Sequence, residues 1–135
     1  YNLRIENAVD VSGKNIVFEI KIPDALTTDY YPVDQDRNKP VDITGSAFAN
    51  TELNTTVECT FPKNWKLLSV PDDVTVSTGR VRYSLKFEKK SNQLICRRSF
   101  AGNFRDVLSV SDDQPELDAL KRITRADAVK VIFSR

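Results

Sequence analysis

Histidine and methionine are absent from the 135 residues, and glycine occurs only four times. Without histidine the chain cannot build a Ser-His-Asp or Cys-His triad from its own side chains. Ordinary His-ligated zinc is excluded for the same reason. Four scattered glycines cannot make a glycine-rich phosphate loop. With no methionine at position 1, Tyr1 is not expected to be a translation start, and the chain reads as a piece of a longer or processed product. An excess of one charge is missing as well. Lys+Arg 20 against Asp+Glu 19 leaves +1, so no global field draws in nucleic acid or anionic lipid. No apolar run approaches the length needed to cross a bilayer. Neither a nucleic-acid partner nor membrane insertion is expected.

What is present is an ordinary soluble balance, 40% hydrophobic and 29% charged. The length suits one domain, residues 1–135, with enough chain to bury a core without staples. Alternation with period two dominates, as in half-buried strands. Leu3 and Ile5 alternate in a first segment. Beyond a turn near Ser12-Gly13-Lys14, Ile16, Phe18, Ile20 and Ile22 share one face, up to Pro23. A short, broken strand is expected over 27–33, around Tyr30-Tyr31-Pro32, and further short pieces flank Gly45. In 53–61, Val57, Cys59 and Phe61 fall on one face. Trp65 to Val70 lies between two proline turns.

The best-specified element is a hairpin. Val81, Tyr83, Leu85 and Phe87 alternate with polar residues, and a turn at 89–92 follows. Placing Glu88 opposite Gln93 sets Phe87 against Leu94, Leu85 against Cys96 and Val81 against Phe100, all apolar pairs. Arg98 then sits awkwardly opposite Tyr83. One helix is predicted, with Asp113 as cap, Glu116 at capping-box spacing, Pro115 in the first turn, and Leu117, Leu120 and Ile123 on one face. A closing strand carries Val129, Val131 and Phe133. Together these predict an all-β fold, an immunoglobulin-like antiparallel sandwich with one short helix near the end.

Few residues suggest chemistry. Cys59 and Cys96 point inward, as an inter-sheet disulfide or as two free core thiols. Asp34, Asp36 and Asn38 have calcium-loop spacing, but Lys39 and Gly45 stand where that loop needs Gly and Glu. No metal or other cofactor is expected. Segment 80–105 carries Arg80, Arg82, Lys86, Lys89, Lys90, Arg97, Arg98 and Arg105 against Glu88 alone. Its aromatics alternate to the core side, so base stacking is disfavoured and Arg82, Lys86 and Arg97 read as a solvated or partner-facing surface. Tyr30, Tyr31 and Trp65 offer a sugar-stacking platform as one reading, and half-buried sheet-rim aromatics as the other. Asn54-Thr55-Thr56 fits a glycosylation sequon.

Several features in order carry a resemblance: Tyr31-Pro32-Val33-Asp34, Val41-Asp42-Ile43, Phe61-Pro62-Lys63-Asn64-Trp65 and Leu68-Ser69-Val70-Pro71. The basic hairpin ending in Arg97-Arg98-Ser99-Phe100, the Leu117/Leu120 helix and Val131-Ile132-Phe133 follow. From about residue 27 onward this resembles the β-rich domain of unknown function that follows transglutaminase-like domains in secreted bacterial proteins. After Pro62 the chain has Lys-Asn where that family often has glycine. The resemblance implies a non-catalytic accessory domain in a periplasmic or cell-envelope protein. Its partner would be an adjacent catalytic domain, of the same polypeptide or another protein. It implies no functional residue. The alternative from the residues themselves is a glycan- or peptide-binding module.

Overall fold

The computed structural model describes residues 9–12, 14–23, 39–42, 51–103 and 107–135. The expected strand at 27–33 with Tyr30 and Tyr31, the segment at Leu3 and Ile5, and the Asp34-Asp36-Asn38 loop lie outside these residues.

The elements are β1 (Val9–Ser12), β2 (Asn15–Ile20), β3 (Val41–Asp42), β4 (Thr51–Thr60), β5 (Lys66–Ser69), β6 (Val74–Ser77), β7 (Val81–Lys90), β8 (Gln93–Gly102), β9 (Val107–Leu108), α1 (Asp113–Asp127) and β10 (Val129–Ser134). Strands β1-β2-β10-β5 form one four-stranded sheet and β4-β8-β7-β6 a second, while β3 and β9 make a two-stranded ribbon. Every pairing is antiparallel. The all-β sandwich expected from the alternation, with a helix before the last strand, is what forms.

The alternation decides what is buried. In the first sheet Ile16 and Ile20 on β2 and Val129, Val131 and Phe133 on β10 turn inward. In the second sheet Val76, Val81, Tyr83, Leu85, Leu94, Cys96 and Phe100 do so. These residues form one continuous core with Leu117, Leu120 and Ile123 of α1. Aromatic contacts join the layers, because Phe133 of β10 meets Phe61, just past β4, at 4.9 Å between ring centroids and Trp65 at 5.7 Å. The helix lies against β6 and β7. Its apolar stripe, Leu117, Leu120 and Ile123, recurs at the predicted three-residue spacing.

The central hairpin corrects the expected register. Glu88 lies opposite Ile95, Phe87 opposite Cys96, Leu85 opposite Arg98 and Val81 opposite Gly102. The turn is two residues, Ser91-Asn92, with Ser91 at φ 51°. A positive φ at the first turn position matches the twist of the paired strands. The turn is tied to β4's end, since Phe61 N donates to Asn92 O at 2.9 Å and Asn92 Nδ2 donates to Phe61 O at 3.1 Å. The displacement is by two residues, so every side chain keeps its predicted face while its partner changes. Strand β6 was not anticipated. Its two inward valines, Val74 and Val76, lie across from Leu85 and Tyr83. Asp73, expected as a turn residue, accepts from the Phe87 N–H at 3.0 Å and so occupies a donor just past the end of β6.

Glu116 engages a side chain outside its helix. It is buried, and its Oε2 accepts a 2.7 Å hydrogen bond from Thr78 Oγ1. The same hydroxyl accepts from the backbone N–H of Arg80 at 3.1 Å and of Val81 at 2.9 Å. One threonine thus shapes the β6–β7 turn and pins it to the first turn of α1.

Candidate functional site

The second sheet presents two contrasting faces. Its inner face holds a buried ionic network in an otherwise apolar layer. Arg98, 2% exposed, alternates inward between Cys96 and Phe100. Its guanidinium grips Asp127 at the end of α1 through Nε at 2.9 Å to Oδ1 and Nη2 at 3.0 Å to Oδ2. Tyr83 Oη donates to Asp127 Oδ1 at 2.7 Å. The Arg98 guanidinium carbon lies 5.6 Å from the centre of the Tyr83 ring and 6.0 Å from that of Phe100. The awkward arginine therefore has a bidentate partner in the helix. Its Nη1 is buried with no hydrogen-bond partner. With side chains only 1% and 3% exposed and paired with each other, Arg98 and Asp127 suit holding α1 on the sheet.

The two cysteines are free. They lie on neighbouring strands of the same sheet, not on opposed sheets: Val57 pairs with Cys96 and Cys59 with Leu94, so the thiols are diagonal neighbours. Diagonal positions are typically about 7–8 Å apart, beyond ordinary disulfide reach. Burial, reinforced by Cys59 and Asp127, pushes the Cys96 thiol up to about 11. Burial raises Cys59 too. Both are thus poor nucleophiles near neutral pH. Burial and the bond to Asp127 likewise hold the Tyr83 phenol above its ordinary value.

These shifts predict an alkaline weakness. The unfolded chain loses a Cys96 proton near the ordinary value of 9.0, whereas the folded chain keeps it to about 11. Above pH 9 the unfolded state binds fewer protons than the folded one, so stability falls with rising pH through this window. Tyr83 adds to the loss from its ordinary value of 10.0 upward. Urea midpoints measured under reducing conditions should fall from about pH 9 to 11. Cys96→Val should make the fall that begins near pH 9 shallower, leaving only the share of Cys59 there. An equal slope in that variant would contradict the assignment.

The outer face carries the cations singled out from the sequence. Arg82, Lys86 and Arg97 are all exposed there. The register sets Lys86 directly opposite Arg97, and Arg82 opposite Ala101. Glu88 accepts from Arg97 at 2.6 Å and pairs with Lys90 at 3.0 Å. These two cations hold the Glu88 carboxyl below its ordinary value. Ile95, buried although it points outward, is flanked across the strands by Glu58 and Glu88. Asn54 of the sequon is exposed in the middle of β4. Beside the Lys86–Arg97 pair lies a shallow depression of about 330 Å³ between Asn54, Thr56, Ser84 and Ser99.

The structure separates the other residues singled out. Trp65 is half-buried and packs on Phe133, so its ring belongs to the core boundary, away from Arg82, Lys86 and Arg97. A larger groove of about 720 Å³ runs past the β6–β7 turn, Thr51, Glu52 and Asn103. Among the described residues no three His, Cys, Asp or Glu side chains gather as a metal site. No described helix is long and apolar enough to cross a membrane.

Fold and surface together define a β-sandwich module with a buried structural network and a polar, partly cationic sheet face. The chain belongs to the family described as "Domain of Unknown Function with solved-structure structure (DUF3858)", which matches residues 14–105. No curated protein matches the sequence. A crystal structure described as that of a candidate protease from Parabacteroides distasonis ATCC 8503 shares the fold, with a TM-score of 0.65 over 88% of this chain at 13% identity. The chain spans 23% of that protein's length.

Proposed function

We propose that this chain is a non-catalytic accessory domain of a larger bacterial cell-envelope protein, whose transglutaminase- or protease-like chemistry resides in a separate domain. The carrying observation is that the same fold occurs as 23% of a longer chain described as a candidate protease. A module of this size within a longer polypeptide is the ordinary form of a helper domain. Two features of the chain support the reading. It has no histidine for a Cys-His site, and its two thiols are held protonated in the core. A role in packing against, or presenting substrate to, the catalytic domain fits a fold whose buried charges, Arg98 and Asp127, pair with each other.

The test is enzymatic. Purified chain, incubated with fluorogenic peptide amides and with an amine acceptor for acyl transfer, is expected to give no turnover above buffer. Turnover that co-purifies with the homogeneous protein overturns the reading.

A further inference from the structure

We propose that the depression on the outer face of the second sheet binds an extended, acidic peptide segment, with Lys86 and Arg97 receiving one of its carboxylates. The accessory-domain reading bears on this only as the source of such a segment, a loop or strand of a neighbouring domain.

The first observation is a juxtaposition that folding alone would avoid. Lys86 and Arg97 are directly opposite each other on β7 and β8. Like charges at directly opposed positions destabilise a sheet. The third member of the row, Thr56, supplies no counter-charge. Arg97 shares Glu88 with Lys90, and among the described residues Lys86 has no ion-pair partner. Glu88 meets the charge of Arg97 only in part, since it also serves Lys90, and nothing among the described residues meets that of Lys86, which marks a place where a ligand can supply it.

The second observation is shape. The next row, Asn54, Ser99 and Ser84, has short side chains. The long side chains of Lys86 and Arg97 therefore stand beside a depression of about 330 Å³ to which Asn54, Ser84 and Ser99 contribute short amide and hydroxyl side chains. Arg97 can meet a carboxylate edge-on with two N–H groups, and Lys86 meets it as a point charge. A carboxylate between them replaces repulsion by two attractions, and the short side chains supply donors for a backbone carbonyl.

The third observation selects the ligand class. Tyr83, Phe87 and Phe100 alternate to the inner side, so among the described residues β7 and β8 offer this face no ring on which a base or a sugar could stack. The remaining cation, Arg82, lies four residues along β7 from Lys86. That spacing is about 13 Å at the rise of a strand. A peptide extended alongside β7 has the same rise, so carboxylates four positions apart meet both cations.

The test uses the peptide acetyl-SESTSES-amide, whose two glutamates are four positions apart, and its glutamine counterpart acetyl-SQSTSQS-amide. Binding to the 135-residue chain is followed by fluorescence anisotropy of labelled peptide at low and high salt. The expected result is salt-sensitive binding of the glutamate peptide alone. Lys86→Gln and Arg97→Gln should each weaken it about fivefold. Lys130→Gln, on the outer face of the other sheet, should leave it unchanged. Lys86→Gln should melt no lower than the parent protein, because it removes a repulsion. Equal binding of both peptides overturns the proposal. So does binding that Lys86→Gln and Arg97→Gln leave intact, or binding of trigalacturonate in place of the peptide. Failure here leaves the accessory reading standing, and turnover in the enzymatic assay leaves the peptide result standing.

Discussion

Asp127→Ala is expected to cost about 3–5 kcal/mol of folding free energy, a large share of what a domain of this size has. The change strands Arg98, 2% exposed, without the carboxylate that grips it, and takes the acceptor from Tyr83 Oη. The penalty arises from an uncompensated buried charge, not from the net value of the pair. A second variant separates the two. Asp127→Leu combined with Arg98→Met replaces both charges by apolar groups and should recover most of the loss, leaving the Tyr83 hydroxyl as the remaining cost. Urea denaturation of the parent, Asp127→Leu, Arg98→Met and the double variant yields the coupling directly. If the single variants are near neutral, the network does not hold the helix as described. Such a result would reopen Arg98 as a group with another role.

The second large effect is expected at Phe133. This ring, 2% exposed on β10, touches Phe61 and Trp65 from the other side of the core. Phe133→Ala should cost about 3–5 kcal/mol through lost burial and the cavity left behind. Phe133→Leu keeps most of the volume and should cost distinctly less. Because Trp65 packs on the ring, its fluorescence reports the loosening. The maximum of the folded Phe133→Ala variant should shift to the red, and near-ultraviolet circular dichroism should weaken. An unchanged tryptophan signal would show that the aromatic contact does not order this boundary.

Much of this architecture was legible in the residues because strand alternation leaves a strong imprint. Ile16, Val57, Val81, Tyr83 and Val131 all turn to the face that their spacing predicts, and Leu117, Leu120 and Ile123 form the expected helical stripe. Pairing was less legible. An all-apolar set of partners argued for the wrong hairpin register, because a two-residue displacement preserves both faces and the deciding contact, Asn92 with Phe61, is remote in sequence. Arg98 was visible as a misfit, but its partner lies 29 positions away in a helix. An acid at the end of a helix usually reads as solvated, so nothing local marked Asp127. Strand β6 went unseen because two valines over four residues give too short a pattern. For the candidate site, the sequence identified the cations Arg82, Lys86 and Arg97, and folding alone set two of them face to face.

The place of β10 bears on how the protein is made. Residues 129–134 lie between β2 and β5 and bond to both. The hairpins of segment 74–102 join strands adjacent in sequence and need nothing from β10. The first sheet, however, cannot close until a strand translated more than a hundred residues after β2 has arrived. Such distant closure slows folding and leaves the edges of β2 and β5 open during synthesis.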